Sequence, residues 1–213
     1  LTIAIDQVAN RWIHDDASDD GQGDVGAGGG EVVVTGLSGS SNLGLLADIS
    51  VTDGVTARID SDADLTLIHD FQPITAFEVV EGAILSLQTE DASGLRITGS
   101  GTLSLVGTDP SDLRLVTANL DLTLANESED FGTLILPTLA ADQVLTVTIA
   151  QADGQTLAGA GTVVVTGTDL VGADLTTITA DTIDITQATT IPEGDTFTKV
   201  PGDTGDTARP CLH

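Results

Sequence analysis

The stretch Gly99-Ser100-Gly101-Thr102-Leu103-Ser104-Leu105-Val106-Gly107 decides how this chain is read. It returns as Gly159-Ala160-Gly161-Thr162-Val163-Val164-Val165-Thr166-Gly167, with Gly161 in the place of Gly101. A third copy lies upstream, at a somewhat larger offset, where Gly28, Gly30 and Gly36 bracket Glu31-Val32-Val33-Val34-Thr35 with the same spacing. Self-similarity of this kind marks folds made by stacking one small unit on the next. The likeness extends upstream, since Leu145-Thr146-Val147 running on to Ala152-Asp153-Gly154 matches Leu85-Ser86-Leu87 running on to Ala92-Ser93-Gly94. Leu1-Thr2-Ile3-Ala4 runs on in the same way to Asn10, and Asn is the residue next best able to take a left-handed turn conformation. Asp48 to Thr52, Asn119 to Thr123 and Asp181 to Thr186 close the three copies. The units fall at residues 1–83, 84–143 and 144–190.

Each unit reads as short strands of Val, Ile, Leu and Thr separated by Gly, Asp and Asn turns. Leu120-Asp121-Leu122-Thr123-Leu124 alternates apolar and polar, so one face of the strand is inside and the other outside. Apolar strands recur roughly every 17 to 20 residues, about one turn of a β-solenoid, and a unit of about 60 residues holds three such turns. The fold class is therefore all-β, a β-solenoid of three repeats. The alternative is tandem small β-sandwiches, for which the unit is short, because a sandwich needs about 100 residues and seven strands. No segment shows convincing helical periodicity with caps.

Composition narrows the function. Of 213 residues, 33 are acidic and 6 basic, a formal charge of −27. That balance repels nucleic acid and anionic membrane surfaces. Apolar residues still make up 40% of the chain, which separates it from a charged disordered tail, and aromatics only 2%, so small aliphatics must build the core. No apolar run has the length of a membrane span. Cys211 stands alone, so no disulfide forms within the chain.

Three strings, Leu145-Thr146-Val147-Thr148, Ala150-Gln151-Ala152-Asp153-Gly154 and the run from Gly159 to Gly167, resemble the repeats of very large secreted bacterial surface proteins. These are the repeat-rich adhesins and the S-layer-like and calcium-dependent exported proteins. The resemblance spans nearly the whole chain and implies an extracellular, structural or adhesive role without catalytic residues. Residues 191–200 read as the first strand of a truncated fourth repeat, because Phe197 follows Ile191-Pro192-Glu193-Gly194 much as Leu85 follows Val79-Val80-Glu81-Gly82. Residues 201–213 read as a C-terminal extension. The chain opens on a strand at Leu1 with no polar cap, and an uncapped solenoid offers backbone groups to another chain. Copies of the chain, joined head to tail into a filament or surface layer, are thus the expected partners. Other readings are a stalk segment of a large adhesin, in which the neighbouring repeats are simply missing, and a carbohydrate-binding or -cleaving β-helix.

One metal site is expected. About 13 extra residues stand between Ile13 and Gly28 relative to the second unit. This acidic insertion, near 14–26, contains Asp16-Ala17-Ser18-Asp19-Asp20-Gly21, which matches the first six positions of a calcium loop. The candidate ligands are Asp16, Ser18, Asp20, Gln22 and Asp24, with Ca2+ as the ion. The twelfth position is Ala27 where a bidentate Glu belongs, and Glu31 comes too late in the chain to replace it. The residues thus fit either a helix-free calcium loop or a solvated acidic loop. Asp60, Asp62 and Asp64 alternate and would share one face of a strand, but no glycine follows them, which favours plain exposure. His14-Asp15 and His69-Asp70 lack the further histidines a metal hydrolase needs. No Gly-x-Ser-x-Gly elbow occurs, and the Gly26 to Gly30 run lacks the Lys of a phosphate loop. A lyase acting on acidic polysaccharide would need clustered bases, whereas the six here are scattered. Cell-surface polysaccharide and divalent cations are the candidate surface partners, and the chain is expected not to be an enzyme.

Overall fold

The computed structural model describes residues 2–4, 13–14, 25–26, 32–37, 49–50, 55–72, 74–109, 111–125, 134–167 and 173–186. Its strands form parallel sheets stacked as a β-solenoid of about six turns. A seven-stranded sheet carries β7 (Ala63–Asp64), β9 (Ile84–Gln88), β11 (Thr102–Gly107), β13 (Asn119–Ala125), β15 (Val144–Thr148), β16 (Ala158–Thr166) and β17 (Thr179–Thr186), in that spatial order. A five-stranded sheet carries β1 (Thr2–Ala4), β4 (Val32–Thr35), β6 (Val55–Ile59), β8 (Ile74–Val79) and β10 (Arg96–Thr98). Two smaller sheets complete the set, β3 (Val25–Gly26), β2 (Ile13–His14) and β5 (Ile49–Ser50) in one, β12 (Ser111–Asp112) and β14 (Leu134–Ile135) in the other. Every pairing between these strands is parallel.

Alternation along each strand sends every second side chain inward, and parallel register stacks these into rows. One row runs Leu85, Leu103, Leu120, Leu145, Val163, each at most 1% exposed. The five-stranded sheet contributes Val34, Ala57, Phe77 and Ile97, which stand in register and are fully buried. Small Ala57 leaves room beside Phe77, whose ring meets Phe71 edge-on at 5.5 Å. Each of these large side chains contributes about 2 kcal/mol by leaving water.

The glycine pattern acquires a mechanical reason where the chain enters β11 and β16 of the seven-stranded sheet. Gly159 has φ +136°, and a methyl group there would run into the backbone of Leu139 on the preceding turn. Gly161 lies as tightly under the carbonyls of Ala140 and Gln143, where the chain reverses in a turn closed by Gln143 N donating to Ala140 O (3.1 Å). The same construction recurs in the preceding repeat, with Gly99 and Gly101 under Val79, Val80 and Ala83. Thr162 N donates to Gln143 O, as Thr102 N does to Ala83 O, at 3.0 Å in both copies. The glycines thus let one turn of chain pass beneath the corner of the last.

The offset between Gly101 and Gly161 equals three turns. Leu103 pairs with Leu120, Leu120 with Leu145, and Leu145 with Val163. These steps are unequal, and the one from Leu120 to Leu145 is the longest, beyond the roughly 17 to 20 residues predicted. The first copy sits differently: Val32–Thr35 belongs to the five-stranded sheet, whereas Thr102–Gly107 and Ala158–Thr166 belong to the seven-stranded one. Glycine spacing alone does not say which corner a strand follows. Ile49–Ser50 likewise pairs with Ile13–His14 and lies apart from β13 and β17. One helical turn also appears, α1 (Ile149–Ala152), which the periodicity does not reveal because so short a segment carries too little of it. Thr148 and Gln151 form a capping box around it.

Candidate functional site

Asp16, Ser18, Asp20, Gln22 and Asp24 lie outside the described residues, as do 191–200 and 201–213. The strands flanking the insertion, Ile13–His14 and Val25–Gly26, pair directly with each other in parallel.

The alternating aspartates do not share a task. Only Ala63–Asp64 of that stretch is strand. Asp62 accepts from Ile84 N (3.0 Å) on the next turn, while Asp64 accepts from Thr66 N (3.1 Å) and Thr66 Oγ1 (2.7 Å). The Thr66 hydroxyl, then its N–H, hold the Asp64 carboxyl below its ordinary range. All three carboxylates are exposed, and none is aimed at a common point by these bonds. Asp174 with Thr176 repeats the same Asx turn, with the same effect and cause.

Among the described residues one group has the spacing of metal ligands. His69, Glu90 and Asp91 bring one ligand atom each within 4.8 Å of one another. His69 follows β7 in the loop of one turn, and Glu90 and Asp91 open the 3₁₀ turn Glu90–Ala92 that follows β9 on the next. His69 Nδ1 lies 3.0 Å from Asp91 Oδ2 and 3.8 Å from Glu90 Oε1. The Asp91 side chain is 8% exposed, and those of His69 and Glu90 61% and 55%. The sequence points to His69 but pairs it with Asp70, which instead accepts from Gln72 N (3.0 Å). Glu90 and Asp91 are missed because the turn-to-turn register, not chain neighbourhood, sets them beside the imidazole. The donor set suits an ion that accepts nitrogen better than Ca2+, which takes 6–8 oxygen ligands. A hydrogen bond between the His69 ring and the Asp91 carboxylate accounts for the same geometry with no metal.

A cavity of about 400 Å³ opens between the turn carrying Leu134, Leu136 and Pro137 and the one carrying Leu157. No titratable side chain lines it, so it supplies no acid or base. No helix among the described residues is long and apolar enough to cross a membrane.

Taken together these features define a β-solenoid whose described polar groups serve mainly its own turns. Compared with family models, curated proteins and solved structures, the chain gives no match, so fold and site rest on its own residues.

Proposed function

We propose that this chain is a non-catalytic extracellular structural protein whose copies join end to end in a filament or surface layer. The observation that supports this reading best is the continuous parallel ladder of the seven-stranded sheet. Each turn presents to the next the same row of backbone donors and acceptors and the same aliphatic rows, so the arrangement extends by repetition. A contact of that kind is heterologous, and it propagates where its rotation does not close a ring. Secretion and a calcium-dependent contact follow from the resemblance and from the acidic composition.

Negative-stain electron microscopy of the purified chain, in millimolar Ca2+ and then in excess chelator, tests the reading. Filaments in both conditions support end-to-end pairing without metal. Filaments only with Ca2+ tie assembly to the ion, with the insertion of Asp16, Ser18, Asp20, Gln22 and Asp24 as first suspect. Single particles in both conditions overturn assembly and leave a stalk segment as the better account.

A further inference from the structure

The meeting of His69 with Glu90 and Asp91 is set by the ladder between β7 and β9. The register that pairs Asp64 with Ser86 carries on past the strands. Asp62 accepts from Ile84 N, Gln88 Nε2 donates to Thr66 O, and His69 stands beside Asp91, each pair 22 residues apart. The hydrogen bond between His69 and Asp91 uses only two of the three groups. Glu90 Oε1, 3.8 Å from the same ring nitrogen, lies too far to share that bond yet converges on it. The Asp91 side chain is all but buried, at 8% exposure. Among the described residues neither carboxylate pairs with a Lys or Arg, since the guanidinium ion pairs run from Arg58 to Glu78 and from Arg114 to Asp112. A carboxylate withdrawn from water needs a cationic partner or a metal.

We infer that His69, Glu90 and Asp91 bind a zinc ion that ties two successive turns of the solenoid together. The three donor atoms already lie within 4.8 Å of one another. Tetrahedral Zn2+ with bonds of about 2.0–2.2 Å holds its donors about 3.4 Å apart, so closure asks for movements of roughly an ångström. Those movements fall to His69 and Glu90, whose exposed side chains change rotamer at little cost, while Asp91 keeps its buried seat. The imidazole nitrogen favours Zn2+ over Ca2+ and Mg2+, which take oxygen ligands. Two carboxylates balance the charge of the dication, and water completes the tetrahedron. The net charge of −27 raises the concentration of cations around the chain.

With three protein ligands, two of them exposed, the site binds more weakly than a closed four-ligand centre. Its effect is local. The ligands come from adjacent turns, so an ion held only when those turns are stacked stabilises the folded chain by mass action. All three ligands belong to one chain, so occupancy does not depend on whether copies join end to end. It does not depend on the acidic insertion either, whose oxygen ligands suit a different ion.

Calorimetric titration of the full chain with Zn2+ at neutral pH, in moderate salt and millimolar Ca2+, is the test. Calcium in excess fills oxygen-only sites and screens the diffuse acidic surface. Every protein in the series carries Cys211→Ser/His213→Ala, which removes a second thiol-and-imidazole pair that suits zinc. One saturable Zn2+ per chain is expected, weakened at least tenfold in His69→Gln and in Asp91→Asn. Asp70→Asn is the control: Asp70 adjoins His69 in sequence but accepts from Gln72 N, and its variant should bind as the parent does. Circular dichroism checks folding, and Glu90→Gln, at an exposed position, replaces Asp91→Asn if that variant does not fold. A melting temperature that Zn2+ raises in the parent and not in His69→Gln supports the tie between turns. A parent with no saturable binding overturns the inference. So does binding that His69→Gln leaves unchanged, which would place the ion at His14 or on the acidic surface, and so does an equal rise in melting temperature in both proteins.

Discussion

Gly159 shows how much of this fold hangs on one missing side chain. Its φ of +136° and the Leu139 backbone above it each exclude a Cβ. Gly82, by contrast, has φ +82° with open space around the position. Gly159→Ala is therefore expected to cost about 3 kcal/mol or more, summing backbone strain and overpacking. Gly82→Ala carries only the left-handed backbone cost, about 1–2 kcal/mol. Urea denaturation of the two variants checks the order, and equal losses would mean that close passage at the corner contributes nothing. The buried amide of Gln151 is the polar counterpart of these glycines. Its Nε2 donates to Leu122 O (2.7 Å) and to Ala125 O, and its Oε1 accepts from Thr148 N (2.8 Å). The side chain thereby supplies bonds to the turn below that a regular ladder would otherwise make.

At the scale of elements, the turns are closed by side chains that are charged. Asp112 in β12 takes Arg114 N (3.1 Å) and the Arg114 guanidinium, the shortest contact being 2.6 Å, and the guanidinium holds its carboxyl down to about 2. Arg114 is shifted upward by the same contact. A carboxyl held low in the folded chain stabilises it above the unfolded value, near 3.9, and the contribution is lost as pH falls through the folded value. Asp112→Asn should therefore be slightly less stable than wild type at pH 6, and the difference should vanish between about pH 4 and pH 2. The effect is small because the pair is exposed to solvent. Thermal melts of both proteins across that window decide it, and a gap that persists at pH 2 would assign the loss to something other than charge.

At the scale of the whole molecule, self-repulsion is the dominant electrostatic fact. With −27 charges on the chain, raising NaCl from about 10 mM to about 0.5 M shortens the Debye length from about 30 Å to under about 5 Å. The melting temperature should rise, since salt weakens a repulsion spread along the whole solenoid far more than it weakens a few short ion pairs. Adding CaCl2 at matched ionic strength separates screening from binding. A further rise with Ca2+ that Mg2+ does not reproduce would mark an oxygen-rich site such as the insertion. A melting temperature that falls with salt would show that attractive pairs outweigh repulsion.

Much of this architecture was legible in the residues. Alternating aliphatics, scarce aromatics and the echo of Gly99 to Gly107 at Gly159 to Gly167 favour a stacked solenoid over tandem sandwiches, because rows of similar small side chains in register bury apolar surface in turns this short. The glycines at 99, 101, 159 and 161 are legible as turn points for the same reason. What the chain does not disclose is which sheet a strand joins: Val32–Thr35 repeats the glycine spacing of Thr102–Gly107 yet stacks on the other face. Nor does it disclose partners across turns. His69 finds Asp91 on the following turn, Asp62 caps Ile84, and Gln151 reaches Leu122 and Ala125, all because each turn's length sets which atoms of its neighbour lie opposite. Local pattern determines that a strand forms and which side faces in, whereas the sum of residues around each turn decides what stands beside what, and that sum exists only once the coil is wound.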